Sequence, residues 1–227
     1  MRSVYIHIPF CKSICSYCDF CKMYYNKELS SIYLDYLEKE IDMYYEGDTV
    51  KTIYVGGGTP SSLDSDNLNK LFRIINKFKR SSEFEFTFEC NIDDINEELL
   101  SILKENNVNR ISIGVESFNK EKLKYLNRNH NKKEIFNNIS LVKKYGFDNI
   151  NVDLIYATSK DTMHVLKSDL KNMLKLGVPH ISTYSLIIEE HTVLYNNKTE
   201  PVSEQLDFNS YKYICKKLKK KEFHHYE

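Results

Sequence analysis

Two rhythms of apolar residues take turns along the chain. Over residues 3–8, 52–55, 83–90, 110–115, 149–156 and 180–186 the apolar positions run together or alternate with polar ones, which predicts six β-strands. Pro9 ends the first of them. The intervening segments show helical spacing. Residues 30–45 set Ile32, Leu37, Ile41 and Tyr44 on one stripe with residues 38–42 on the polar side, and residues 64–77 do the same with Leu68, Leu71, Phe72 and Ile75. Further helices are predicted over 97–105, 120–126, 132–144, 165–176 and, after a looser polar stretch, 208–221. There is no internal repeat and no low-complexity linker.

Strands alternating with helices predict parallel pairing through right-handed crossovers, so an α/β fold built as an open sheet or a partial barrel. The faces of the strands decide between them. In Phe84-Glu-Phe-Thr-Phe-Glu-Cys90 the polar residues Glu85, Thr87 and Glu89 share a face; Ser112, Gly114 and Glu116 share one in the next strand, and Asn151 and Asp153 in the one after. A strand buried between two helix layers is apolar on both faces. One polar face predicts a barrel interior that is wet or functional. Glu89, Glu116 and Asp153 fall toward the C-terminal ends of successive strands, where α/β barrels place their active sites. An antiparallel sheet with one solvated face is the competing reading, but hairpin-length connections are missing.

Chemistry enters directly after the first strand. Four of the six cysteines stand between Cys11 and Cys21, and the first three, Cys11, Cys15 and Cys18, read C-x₃-C-x₂-C. So short a loop can wrap three thiolates around one inorganic cluster and leave one iron of a 4Fe–4S centre open to a substrate or cofactor. Structural zinc usually takes two close pairs of ligands, and here Cys90 and Cys215 are isolated. Disulfides fit less well: the chain enters a strand within three residues of Met1, leaving no secretory leader, and clustered cysteines in a cytoplasmic chain favour metal chemistry. Lys and Arg number 32, as do Asp and Glu, so the basic excess of a general nucleic-acid binder is absent. No apolar run approaches a transmembrane span. Of the seven glycines three are consecutive, Gly56, Gly57 and Gly58, in a turn that can bring backbone close to a ligand; no Gly-Lys-Ser/Thr follows, so it is not a phosphate loop.

The C-x₃-C-x₂-C loop resembles that of radical S-adenosylmethionine (SAM) enzymes, in which SAM chelates the open iron and one electron from the cluster splits it to a 5′-deoxyadenosyl radical. Other stretches extend the likeness: Gly56-Gly-Gly-Thr59-Pro60, Arg110-Ile-Ser-Ile-Gly114-Val-Glu116-Ser-Phe118, Leu126-Asn-Arg128-Asn-His130, Asp153-Leu-Ile-Tyr156 and His180-Ile-Ser-Thr-Tyr-Ser-Leu186. Together with Tyr5-Ile-His7-Ile-Pro-Phe-Cys11 they resemble the oxygen-independent coproporphyrinogen III oxidase-like proteins, and within them the heme chaperone branch. The resemblance covers nearly the whole chain. It implies a partial (β/α)6 barrel, the radical SAM core, over residues 1–227. It also implies cluster ligation by Cys11, Cys15 and Cys18, and SAM contacts from Tyr5, Tyr17, Gly57, Gly58, Thr59, Glu89, Glu116, Arg128, Asp153 and Ile187. Read as chemistry, Glu89 can accept from the SAM amino group, Asp153 or Glu116 from ribose hydroxyls, and Arg128 can pair with the SAM carboxylate. His7 reads as a core histidine bracing the cysteine loop.

The chain departs from the pattern in several places. Glu116 stands where the family usually carries Gln, and Tyr156-Ala-Thr-Ser159 where it carries Tyr-Gly-Leu-Pro. The oxidase has a further cysteine two residues past its third ligand; here that place is Phe20 and the extra cysteine is Cys21. The oxidase's N-terminal extension is also missing, which favours the chaperone branch. Phe223-His-His-Tyr226-Glu227 resembles the start of a segment that leads in the family to a C-terminal domain with a heme-associated motif, so the chain reads as shortened; His224 and His225 read as solvated residues of a basic tail. The expectation is a cytoplasmic carrier of heme or porphyrin that serves acceptor hemoproteins and takes electrons from a donor protein, with neither nucleic acid nor membrane span involved. Oxidative decarboxylation of coproporphyrinogen III is the alternative, and a metal-binding remnant without turnover a third. Arg110 and Arg128 are the only cations expected near the strand ends that could clamp propionates.

Overall fold

The fold is seen in a computed structural model that describes residues 2–226, so Glu227 of the terminal stretch lies outside it. In chain order the elements are β1 (Arg2–Ile8), the two-residue strands β2 (Phe10–Cys11) and β3 (Met23–Tyr24), α1 (Lys27–Tyr44), β4 (Val50–Gly57), α2 (Ser65–Ile75), β5 (Arg80–Asn91), α3 (Glu97–Glu105), β6 (Arg110–Glu116), α4 (Lys120–Tyr125), α5 (Lys132–Lys144), β7 (Asn149–Tyr156), α6 (Met163–Lys175), β8 (His180–Ser185), α7 (Val193–Asn196) and α8 (Glu204–Lys219). Short 3₁₀ turns follow β4 and β5.

Each of these α-helices starts at a side chain that accepts a backbone N–H of its first turn. Asn26, Asn96, Asn119 and Asn131 cap four of them, Asp64, Thr162, Thr192 and Ser203 the others. The chain's abundant asparagine therefore has a structural use, since an N-cap of this kind contributes about 1 kcal/mol to its helix. The caps also move predicted boundaries, and Asn26 starts α1 at Lys27, ahead of the expected 30. Thr162 starts α6 at Met163, ahead of the expected 165, and Ser203 starts α8 at Glu204, ahead of the expected 208.

Six strands form one parallel sheet in the order β1-β4-β5-β6-β7-β8, each beside its successor. The ends of that order, β1 and β8, do not pair among the described residues, so the barrel is incomplete. Its outer face is apolar. Phe86, Phe88, Ile111, Ile113, Val115, Ile150, Val152 and Leu154 are buried in the same core as Leu34, Phe72, Leu100, Ile135 and Leu170 of the helices. Truncating Phe72 or Phe88 to Ala would cost about 3–5 kcal/mol. The inner face is polar, and side chains join across it. Asn151 Nδ2 donates to Ser112 Oγ (2.9 Å), and Ser182 Oγ donates to Asn151 Oδ1 (3.1 Å), linking β6, β7 and β8.

Candidate functional site

The site lies where β1, β4, β5 and β6 run out. β1 ends at Ile8, and the chain passes through Pro9 into the cysteine loop, which has little regular structure and is held from outside. Thr59 N donates to Phe10 O and Gly58 N to Ile8 O, both at 2.8 Å. Ser16 Oγ donates to Tyr125 O (2.7 Å), Asn127 Nδ2 to Ile14 O (2.7 Å), and Leu194 N to Ser16 O (3.0 Å). The glycine turn, the end of α4 and α7 thus fasten successive parts of the loop. His7 braces it from below: one ring nitrogen meets Cys21 O at 2.8 Å and the other Tyr5 OH at 3.1 Å.

The thiols of Cys11, Cys15 and Cys18 are close enough for burial first, and then the charges of Cys18 and Cys15, to push the Cys11 thiol up. Burial also raises Cys18. Thr59 Oγ1 donates to Cys11 Sγ and Arg128 Nη1 to Cys15 Sγ, each at 3.4 Å. Among the described residues no three His, Cys, Asp or Glu close around a single ion. Three cysteines in one short loop, with no second close pair in the chain, are the donor set of an iron–sulfur cluster rather than of a four-coordinate zinc site.

The glycine turn fits closely against this loop. A Cβ on Gly58 would lie 2.8 Å from the Pro9 carbonyl carbon and 3.0 Å from Cys11 Sγ; one on Gly57, at φ 111°, would lie 2.6 Å from the His7 ring. Glu89, half-buried under the turn, accepts from Tyr54 OH (2.6 Å) and Gly57 N (3.1 Å). Burial raises its carboxyl against those two hydrogen bonds. Asp153 lies mid-strand on β7, opposite Gly114 and Ser182, rather than at a strand end. It accepts from Asn151 Nδ2 (2.8 Å), and burial, then the charge of Glu116, pushes it up to about 7.

Glu116 ends β6 in the left-handed region, φ 63°, just past a register shift, and is buried. The bulge leaves its carboxylate on the face of Gly114, where a Cβ would meet Glu116 Oε1 at 2.9 Å and Arg128 Nη2 at 2.8 Å. Arg128 is no surface charge. It donates to Gly114 O (2.5 Å), and although burial opposes its charge, Tyr17, Cys15 and Glu116 raise its pKa. Tyr17 is raised by burial and by Glu116. Tyr5 and Ile187 are both more than half exposed, Tyr5 on β1 and Ile187 just beyond β8. His130, pushed down to about 4 by burial and Arg128, bonds Val115 O (3.0 Å) behind β6.

Besides Asp153, two expectations are corrected: Ile32 and Tyr44 of the predicted α1 stripe are exposed, the helix burying Leu34 with Leu37 and Ile41 instead, and Arg110 does not serve this end. Arg110 is the first residue of β6 and so enters from the opposite end of the sheet; its guanidinium donates to Thr87 Oγ1 (3.2 Å) and meets His180 Nδ1 (3.2 Å). Two side chains escape sequence reasoning: Tyr54, the partner of Glu89, and Lys22, whose Nζ donates to Cys18 O (2.5 Å). Tyr54, two residues before Gly56, carried a signal in its polar tip on a strand that runs into the glycines; Lys22 carried none.

Residues 5–182 match the model of the Radical SAM superfamily. A heme chaperone HemW of Lactococcus lactis subsp. lactis is 40% identical over all of this chain, and one of Bacillus subtilis is 39% identical over all of it. The chain spans 61% and 62% of their respective lengths. Among solved structures, the coproporphyrinogen III oxidase HemN of Escherichia coli, described as a radical SAM enzyme, superposes with a TM-score of 0.88 at 27% identity, covering 96% of this chain and 52% of that one.

Proposed function

The chain belongs to the radical SAM superfamily, and on that premise we propose that it holds a 4Fe–4S cluster on Cys11, Cys15 and Cys18, seats SAM beside it, and is the core of a heme chaperone-like protein that binds heme and passes it to acceptor hemoproteins. The observation that carries the heme reading is 40% identity to a heme chaperone along the entire chain. The cluster and SAM reading rests on the cysteine loop and the glycine turn at one mouth of the barrel, with Glu89 and Glu116 beside them and Asp153 deeper on β7.

When bound, the cluster supplies a single electron at low potential to SAM. The protein's own residues do the rest. Backbone at Gly57 and Gly58 approaches the ligand because no side chain intervenes. Glu89 accepts from the SAM amino group, Glu116 and Asp153 accept from ribose hydroxyls, and Arg128 turns from Gly114 O toward the SAM carboxylate. Thr59, Tyr5, Tyr17 and Ile187 complete the wall. The acids of the lumen support a cationic ligand, since burial holds Glu89, Glu116 and Asp153 up and a positive charge beside them would favour their ionised forms. A reducing partner protein and a cytoplasmic setting belong to the same proposal; among the described residues no helix is long and apolar enough to cross a membrane.

The TM-score of 0.88 to an oxidase supports a second reading, oxidative decarboxylation of coproporphyrinogen III. Anaerobic reconstitution followed by parallel heme titration and coproporphyrinogen turnover with SAM and reductant separates the two. Heme binding without porphyrinogen conversion is the expected result. Protoporphyrinogen IX, detected by fluorescence after oxidation, would overturn it.

A further inference from the structure

A group of ionised side chains buried behind the lumen is used by none of these roles. Lys122 of α4 has a side-chain exposure of 0%, and its Nζ stands 2.8 Å from Asp161 Oδ1 and 3.5 Å from Asp169 Oδ2, carboxylates exposed by 2% and 1%. Each carboxylate pins a different strand-end turn. Asp169 of α6 accepts from Ser117 Oγ (2.6 Å) and Phe118 N (2.9 Å), the two residues after Glu116. Asp161 accepts from Thr158 N (2.9 Å) and Thr158 Oγ1 (3.0 Å), directly after Ala157.

Both pinned turns follow a residue in an unfavourable backbone conformation. Glu116 and Ala157 take φ 63° and 60°, the left-handed region that a side chain disfavours. Such a conformation persists only where its surroundings over-determine it. Here the surroundings are these two aspartates, and Lys122 is the cation they share.

We infer that Lys122 is a positioning residue: through Asp169 and Asp161 it locks the turns after β6 and β7 together and so fixes the direction in which Glu116 presents its carboxylate to the lumen. The inference rests on the reading that Glu116 contacts SAM. A buried triad of this kind adds little net stability over an apolar core of the same shape, so its contribution is to select one arrangement of the two turns.

The test uses the reconstituted holoprotein and two variants. Lys122→Met removes the cation. Lys122→Met combined with Asp161→Asn and Asp169→Asn leaves no uncompensated buried charge and guards against misfolding of the first. Amide hydrogen exchange at Phe118 and Thr158 should accelerate together in both variants, although the turns lie 40 residues apart in sequence. SAM should bind about tenfold more weakly to folded, cluster-loaded variant than to wild type, the order of one mispositioned charge-assisted hydrogen bond. Unchanged exchange at either amide overturns the linkage of the turns. Accelerated exchange with unchanged SAM affinity overturns the positioning role. Failure of cluster-loaded wild type to bind SAM removes the underlying reading, and the inference falls with it.

Discussion

Asp153 offers the most quantitative handle on the site. Its carboxyl is held up to about 7 by burial first and by the charge of Glu116 second, against the hydrogen bond from Asn151. If it accepts from a ribose hydroxyl of a cationic ligand, the ionised form is the one that binds. At pH 6 about one molecule in eleven carries that charge, and at pH 8 about ten in eleven, by the titration of a group at 7. Affinity for SAM should therefore rise roughly tenfold between the two, about 1.4 kcal/mol. SAM has an amino group that titrates in the same range, so the comparison is with Asp153→Asn, which keeps the shape and loses the titration. Anaerobic calorimetry of SAM into both cluster-loaded proteins at pH 6, 7 and 8 measures the difference in slope. In the ligand-free protein the sign reverses. The unfolded carboxyl ionises near 3.8, so between there and 7 the fold holds a proton that the unfolded chain lacks, and stability falls as pH rises through that window. Asp153→Asn should flatten that fall as well. Equal slopes of SAM affinity in wild type and Asp153→Asn would refute the placement of Asp153 against the ligand.

Three further outcomes are expected. Alanine at Cys11, Cys15 or Cys18 should abolish iron–sulfur absorption after anaerobic reconstitution, and Cys21→Ala should retain it; a bleached Cys21 variant would reassign the ligands. Gly58→Ala should lower cluster occupancy and destabilise the fold by about 1–3 kcal/mol in urea unfolding, because the new methyl meets the Pro9 carbonyl carbon and the Cys11 sulfur and backbone cannot swing aside. Thr59→Val removes the O–H donated to Cys11 Sγ and should make the cluster's midpoint potential, read by redox-titrated electron paramagnetic resonance, more negative; an unchanged potential would mean that the hydroxyl does not reach the thiolate once iron is bound.

The layout of the sheet was legible because each strand declares its faces. Phe84, Phe86 and Phe88 against Glu85, Thr87 and Glu89 can satisfy only a sheet with one covered and one polar side, and the structure has that sheet. The cysteine loop was legible from spacing alone. Contacts made at right angles to the sequence were not. Lys122 reads as a surface lysine in a helix rich in them, and only the third dimension sets Asp161 and Asp169 against it. Arg110 was misread for a related reason: a strand's sequence marks its two faces but not which end a long side chain serves, and the guanidinium went to Thr87 and His180. The single turn α7 was missed because four residues carry no period; its cap, Thr192, was the available signal.

The charge of the lumen bears on the choice between carrier and decarboxylase. Arg110 serves the far end, and Arg128 lies between Cys15 and Gly114 within the field of Glu116. A substrate with four propionates would meet Glu89, Glu116 and Asp153 in the lumen, where Arg128 is already engaged with Gly114 O and Cys15 Sγ. Buried like charges repel strongly in low dielectric, and their cost is relieved only by a cation. On the proposed reading SAM would bring two positive groups and one carboxylate, which suits these acids and Arg128; a tetra-anionic porphyrinogen suits them poorly. Heme, whose propionates can remain in solvent while its apolar body is covered, does not need the lumen at all. The charge of the site therefore supports the proposed seat of SAM inside the barrel, and on the carrier proposal a tetrapyrrole would be held outside it.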